Sequence, residues 1–472
     1  MHEDPSAILP ELFLLAAAVG GLLAGAFLPR RRQWLVGLLA AVACVAGLAA
    51  TGIALTQPAR LVFGFSYAVD IGLGAGRIVV LAATLLVLCL SVESVRGHNR
   101  ESEYYVLVLL AALGSVALAG ASDLMLLFAA YLLASVPLYA LAGFAKDAPG
   151  AEAALKYYLL GAFLGAVMLT GVTILYGAGG GTSYRHLHQT LATAPTGIVA
   201  VGLIALLAGL LFKAGGVPSH FWIPDVTEGA TAPVAALVTT IPKIGGLIAL
   251  YRLADQTISV SSVDWRPLVA VIAVLSMSLG NLAAFFQQSP RRLLAYSTIS
   301  QVGYILLAVT VAGRSDIALK ALLFYLAAYA VTNLGAFAVV TELPHARTLG
   351  DYAGLARRRP WLALTLVVCL LGLVGTPPTS VFFGKLTVFT AAIDGGYTWL
   401  AVVAVANTVA SLFYYLRWIA PVFARPPSSD PATLAPAGRW SAAGAYTTGA
   451  ASLALGLASG PALHLAERVL LR

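Results

Sequence analysis

Three lysines stand inside apolar runs, where they could carry a proton or a cation. Lys213 closes the run VGLIALLAGLLF, Lys243 lies in TIPKIGG, and Lys385 lies in SVFFGKLTVF. A lysine at the centre of a membrane helix costs roughly 2.5–3.5 kcal/mol on insertion scales, so it is rare without a function. A lysine stripped of hydration can take up and release a proton. The plainer reading is snorkelling, in which the long side chain reaches the headgroups; it fits Lys385 least badly and Lys243 poorly. His220, in PSHFWIPD, is a further candidate relay group. A lone histidine at a helix end serves equally as a structural hydrogen bonder.

Other polar residues have weaker claims. Asp225 and Glu228 read as caps of a helix that starts near Thr231. Glu152 and Lys156 are four apart at the start of a span, the spacing of a surface ion pair. Asp123, after Ser122, reads as an N-cap. Tyr131, Tyr139, Tyr296, Ser297, Thr298 and Ser300 could line a wet path, but helix packing is the commoner use of such residues.

The elements that hold these residues are membrane helices. Of 472 residues, 60% are hydrophobic and 10% charged, against about 25% charged in a soluble domain, and mean hydropathy is +0.89. That balance excludes a soluble globular enzyme and a disordered chain. Three distant cysteines (Cys44, Cys89, Cys369) make no disulfide framework. The apolar runs are continuous rather than alternating, so helices and not a barrel cross the bilayer. Fourteen spans are predicted: Ile8–Leu28, Leu35–Ile53, Ile78–Val92, Tyr104–Ala121, Leu124–Phe144, Ala153–Tyr176, Ile198–Ile223, Ala232–Leu253, Pro267–Phe286, Leu293–Val311, Ala318–Thr341, Trp361–Ala392, Trp399–Val422 and Ala442–Ala458. The acidic start MHEDPS is no signal peptide, so the first span is expected to stay. The polar connections, with Gly177–Thr196, Pro344–Pro360 and Ala424–Trp440 the longest, leave no room for a soluble domain.

The net charge of +8 clusters in loops between spans, which reads as topology rather than nucleic-acid binding. Alternate connections carry fourteen basic residues: Arg30, Arg31, Arg32, Arg96, Arg100, Lys146, Arg291, Arg292, Arg347, Arg357, Arg358, Arg359, Arg425 and Arg439. The opposite set carries eight: Arg60, Arg77, Arg185, Arg252, Arg266, Arg314, Arg468 and Arg472. The first face is therefore expected in the cytoplasm, with both termini outside.

Two spans are interrupted, one by Lys213-Ala214-Gly215-Gly216-Val217-Pro218 and one by Gly375-Thr376-Pro377-Pro378. Proline removes a backbone donor and glycine loosens the turn. Open backbone in lipid costs several kcal/mol and persists only inside protein or beside water. A pair of broken spans roughly 160 residues apart suggests a transporter built from two five-helix repeats. No dinucleotide fingerprint follows a strand, Gly177–Gly181 reads as a loop, and no Cys or His cluster has zinc, iron–sulfur or haem spacing. Electron transfer, if any, falls to partners.

The stretch LLFKAGGVPSHFWIPDVTEGATAPVAALVTTIPKIGG resembles the antiporter-like membrane subunits of respiratory complex I, the proton-pumping NADH–quinone oxidoreductase. SDLMLLFAAYLLASVPLYALAGF, AEAALKYYLLGAFLGAVMLTGVTILYGAGG, GNLAAFFQQSPRRLLAYSTISQVGY, FYLAAYAVTNLGAFAVV and GTPPTSVFFGKLTVFTAAI support it, from about Ser122 to Arg417. The resemblance implies an all-α polytopic protein of about fourteen helices with two inverted repeats. These cover about 104–253 and 267–422, flanked by helices within 8–92 and 442–458, in one membrane domain over 1–472. It implies a lysine relay in which Lys213, Lys243 and Lys385 match the central, connecting and terminal lysines on the seventh, eighth and twelfth helices. It implies a cell inner membrane location and partner subunits that hold NADH, flavin, iron–sulfur clusters and quinone, with no cofactor or metal in this chain. Two positions depart from the pattern. The family's fifth-helix glutamate, five residues before Pro137, aligns with Leu132, whose neighbour is Tyr131; the tenth-helix histidine is Gln301. The first change removes the opposite charge that would hold the Lys213 ammonium. A subunit of a multi-subunit cation/proton antiporter and a structural membrane-arm subunit with an impaired channel are the alternatives; HFWIPDVTEG and AEAALKYYLLGAF favour the oxidoreductase.

Overall fold

A computed structural model describes residues 4–425 and 434–465, and they are nearly all helical. The spans are α1 (Leu9–Phe27), α2 (Trp34–Ala54), α3 (Ile71–Val95), α4 (Glu101–Gly120), α5 (Leu124–Leu133 and Val136–Ala142), α6 (Ala148–Gly179), α7 (Thr196–Ala214 and Trp222–Gly229), α8 (Ala232–Gln256), α9 (Arg266–Ala284), α10 (Pro290–Thr310), α11 (Ala318–Glu342), α12 (Pro360–Val374 and Ser380–Asp394), α13 (Thr398–Phe423) and α14 (Arg439–Leu457). Every predicted span has its helix. Twelve are long and apolar enough to cross a bilayer unaided. The other two are α12, split into two 15-residue halves, and α14. The buried face of α14 is small and weakly polar (Gly444, Thr448, Gly449, Ser452, Gly456), which lets it approach its neighbours closely.

Burial sorts the helices. α8, α10 and α11 are enclosed on nearly every side, whereas α1, α2, α6 and α13 leave most of their apolar surface outward. A helix buried all round needs no amphipathic stripe. It can carry polar groups wherever a neighbour receives them, as α10 does with Ser297, Thr298, Ser300 and Gln301.

Several boundaries differ from expectation. α3 begins at Ile71 rather than Ile78, because Asp70 caps it by accepting the Leu73 amide at 3.1 Å. The chain before it forms a hairpin, β1 (Arg60–Val62) with β2 (Tyr67–Val69). Gly177–Gly181 is mostly the end of α6, which stops at Gly180 in a left-handed conformation. Asp225 and Glu228 cap nothing. Asp225 pairs with Lys156 at 2.8 Å and Arg292 at 3.1 Å, and Glu228 accepts Ser289 at 2.5 Å. Glu152 pairs with Lys156 at 2.7 Å on the surface, and Asp123 caps α5 through the Met125 amide at 2.8 Å, both as expected.

Arg77 and Arg252 are not loop residues. Both are buried in helices and ion-paired, so they leave the count of exposed basic residues and widen the excess on the arginine-rich face; Arg468 and Arg472 lie outside the described residues. Arg252 on α8 holds Asp70 through two bonds of 2.7 and 2.8 Å, and bonds the carbonyl of Ala119 at the end of α4. Arg77 on α3 holds Glu11 on α1 at 2.7 Å, and the Tyr67 hydroxyl donates to the same carboxylate at 2.6 Å. α1 and α3 are thereby tied to each other and to α8. Removing one partner of a buried pair leaves an uncompensated charge. Asp70→Asn is therefore expected to cost about 3–5 kcal/mol, read as a lower melting temperature and a loss of assembled protein in detergent.

Candidate functional site

Lys213 and Lys385 sit beside helix breaks, and proline chemistry explains the breaks in α5 and α12. In α5, Pro137 has no N–H, and the Leu138 amide turns back to the Ser135 carbonyl at 3.0 Å. The helix stops between Leu133 and Val136, an interruption the sequence reading missed although Pro137 signals it, and the Ala134 carbonyl is left without its helical donor. Lys213 fills it. Its Nζ donates to the Ala134 carbonyl at 3.2 Å and to Ser135 Oγ at 2.5 Å, and lies 4.9 Å from the centre of the Tyr131 ring. Tyr131 is fully buried, whereas Leu132 is 43% exposed and points out of the bundle. A carboxylate at position 132 would face away from Lys213; the residue under the ammonium is Tyr131.

The second break repeats the logic. In a continuous helix the carbonyls of Leu373 and Val374 would receive the amides four residues on, at Pro377 and Pro378, which have none. Gln301 Nε2 donates to Leu373 at 2.8 Å, and Lys385 Nζ donates to Val374 at 2.9 Å. Lys385 also reaches Thr408 Oγ1 at 3.3 Å and lies 4.0 Å above the Tyr304 ring. Gln301, at the family's histidine position, is thus a backbone clamp whose Oε1 accepts the Tyr325 hydroxyl at 2.7 Å.

Lys243 lies in the middle of α8 one residue after Pro242, fully buried, and its Nζ has no hydrogen-bond partner. It faces the break in α7. A Cβ added at Gly215 would fall 2.6 Å from this Nζ, and one added at Gly246 would fall 3.1 Å from Lys213 Cγ. α7 and α8 therefore cross closely where they carry Lys213 and Lys243. His220 is buried in the α7 break with Nδ1 unpartnered.

Lys385 is apart from these two, and α11 spans the interval. Tyr325, Tyr329 and Asn333 recur every four residues and share one face. Asn333 donates to Thr240 at 2.9 Å, and the Tyr329 hydroxyl donates to the Thr239 carbonyl at 2.7 Å, one turn before Lys243. Tyr329 also meets Thr298 at 3.0 Å, and Tyr325 meets Gln301. This stripe was not singled out from sequence; its four-residue spacing in FYLAAYAVTN was the available signal. Of the proposed wet-path residues, Ser297, Thr298 and Ser300 are buried, with Ser297 on Tyr415 at 2.5 Å, whereas Tyr139 and Tyr296 are half-buried. The polar axis thus runs through the enclosed helices. Among the described residues no carboxylate pairs with any of the three lysines, and no group of three His, Cys, Asp or Glu could hold a metal.

The family described as NADH:quinone oxidoreductase/Mrp antiporter, TM, matches residues 121–411, well over half of the chain. This chain belongs to that family. Across 98% of both chains it is 56% identical to the NADH-quinone oxidoreductase subunit N 1 of Streptomyces griseus, and at the same coverage 51% identical to subunit N of a Mycobacterium species. Among solved structures, a chain of respiratory complex I from Thermus thermophilus superposes with a TM-score of 0.83 at 34% identity, covering 98% of this chain and 100% of that one. The breaks in α5, α7 and α12 and all three lysines of this NADH:quinone oxidoreductase/Mrp antiporter family chain fall inside the matched region.

The break in α7 depends on glycine. Gly215 has φ +79° and ends the first half of α7, and a Cβ there would strike Ile223 as well as Lys243. Gly52 on α2 has open space around it. Gly215→Ala is therefore expected to destabilise by about 1–2 kcal/mol while Gly52→Ala is neutral or slightly stabilising, as thermal melts of the purified subunit would show.

Proposed function

We propose that this chain is a subunit-N-type membrane-arm subunit of a complex I-like NADH–quinone oxidoreductase, and that it translocates protons through Lys213, Lys243 and Lys385. One observation carries the relay: each lysine is buried at a helix break or facing one, two are held by carbonyls that the breaks set free, and none has a counter-charge. A lysine without a fixed counter-ion is free to change protonation state, whereas one locked to a carboxylate is held as the ammonium. The over-half identity to two subunits N supports the oxidoreductase over the antiporter reading.

In this reading the arginine-rich face is cytoplasmic, both termini lie outside, and the membrane is the cell inner membrane. Residues 104–253 and 267–422 form the two inverted repeats, each with a broken helix. NADH, flavin, iron–sulfur clusters and quinone belong to partner subunits. His220 serves beside Lys243 as an accessory relay group. Ammonium groups along one axis repel, so a charge change imposed by a neighbouring subunit at one end alters which lysine holds the proton. The stripe of Tyr329, Thr298 and Asn333 supplies hydroxyl and amide groups between the two ends.

Two measurements test this. The tagged protein, purified natively in mild detergent, is expected to bring down quinone-site and iron–sulfur subunits; recovery of antiporter-like membrane subunits alone would place it in a secondary antiporter. Lys213→Ala is expected to lower protons pumped per electron, with quinone reduction retained. Unchanged pumping would remove Lys213 from the path and leave the structural reading.

A further inference from the structure

Six arginines gather where the outer helices meet the arginine-rich face: Arg30, Arg31 and Arg32 in the turn before α2, Arg96 and Arg100 between α3 and α4, and Arg439 at the start of α14. Arg100 is engaged on the Phe144 carbonyl at 2.6 Å. The other five are exposed, and none of them forms an ion pair among the described residues. The same segments carry three glutamates, and each already accepts a hydrogen bond. Glu93 accepts the Trp440 amide at 2.7 Å, Glu101 is buried and accepts the Gly97 amide at 2.9 Å, and Glu103 accepts the Ser102 hydroxyl at 3.0 Å. A cleft of about 340 Å³ opens between these helix ends. Its walls are Trp34, Leu38 and Ala41 on α2, Leu88 and Val92 on α3, and Trp440 on α14, and Arg96 also lines it. Gly37 sets its floor: a Cβ there would fall 2.8 Å from the Tyr105 ring, so α2 rests directly on α4. From Trp34 to Ala41 the apolar wall runs roughly 10 Å at the helical rise.

We propose that this cleft is a binding site for an anionic phospholipid, with one acyl chain lying between α2 and α3 and the phosphate met by Arg96 and the Arg30–Arg32 turn. Trp34 and Trp440 fix the depth. Both are about half exposed, and each stands at the start of its helix within two residues of an arginine. Tryptophan settles at the level of the lipid headgroups. The apolar walls therefore lie at acyl-chain depth and the arginines at phosphate depth. Charge decides the occupant. Six arginines face three glutamates at this end of the bundle, and a basic pocket between membrane helices suits an anionic headgroup. An apolar helix of another subunit would cover the walls and bring no counter-charge to the arginines. The bound lipid would fill the gap between α2, α3 and α14. The site shares no residue with the lysine axis, so it stands or falls independently of the relay.

The test uses the native complex, depleted of lipid in mild detergent and mixed with phosphatidylglycerol or phosphatidylcholine. Native mass spectrometry counts the bound lipid and the subunits present. Wild type is expected to hold a phosphatidylglycerol that phosphatidylcholine does not displace. Arg96→Gln is expected to bind it about fivefold more weakly, the effect of one arginine beside an anionic lipid. Ala41→Phe, which fills the cleft, is expected to lose the same lipid, and Arg314→Gln, at an exposed arginine on the opposite face, is expected to keep it. If Ala41→Phe fails to assemble, Arg96→Gln and the competition between lipids still decide. Unchanged phosphatidylglycerol binding in Arg96→Gln overturns the site, as does equal retention of phosphatidylcholine. Loss of a neighbouring subunit from the Arg96 or Ala41 variant, with bound lipid unchanged, would give this face to that subunit and also overturn it.

Discussion

A backbone carbonyl that loses its helical donor in an apolar interior must find another, and a buried ammonium must find an acceptor. Each alone costs several kcal/mol. In this protein the two needs meet. Lys213 takes the Ala134 carbonyl, Lys385 takes the Val374 carbonyl, and Gln301 takes the neighbouring Leu373 carbonyl. The helix ends add their own favourable potential for a cation, since carbonyl dipoles converge there. The prolines that break α5 and α12 are thus part of the lysine sites, and the glycines at 215 and 375, with φ of +79° and +91°, turn the chain so that the breaks can close. The enclosure of α8, α10 and α11 follows from the same constraint, because polar helices need protein rather than lipid around them.

Two kinds of buried charge divide the molecule. Arg252 with Asp70, and Arg77 with Glu11, are matched pairs whose bonds of 2.7–2.8 Å leave each charge compensated. They fasten the outer helices to the core and have no reason to change state. The lysines are compensated only by dipoles, hydroxyls and aromatic faces, which tolerate an amine as well as an ammonium. A bundle that carried only the first kind would be a scaffold; the second kind makes a path conceivable. The α11 stripe lies between the lysine groups because its residues at 325, 329 and 333 recur every four and face α8 at one end and α10 at the other.

Much of this was legible in the sequence. Continuous apolar runs gave the helices, Gly-Pro clusters gave the α7 and α12 breaks, and the lysines stood out because charge is scarce there. What could not be read was long-range pairing. Asp70 and Arg252 are 182 residues apart, Glu11 and Arg77 66 apart, and either arginine passes for a loop charge when only local context is seen. The α5 break was overlooked because Leu124–Phe144 is apolar throughout and carries only Pro137 as a mark. That miss hid Ser135, and it hid the rotation that places Tyr131 inward and Leu132 outward. Asp225 looked like a cap because its partners, Lys156 and Arg292, lie 69 and 67 residues away.

The central claim is that uncompensated buried lysines carry protons along one axis. Lys243 tests it most directly, since it joins the two ends and its Nζ has no hydrogen-bond partner. Lys243→Gln, of similar length and no ionisable nitrogen, should be examined in the native complex in sealed vesicles, with proton uptake and quinone reduction recorded together. The account predicts that quinone reduction continues while protons moved per electron fall. An unchanged ratio in a correctly assembled complex would contradict it.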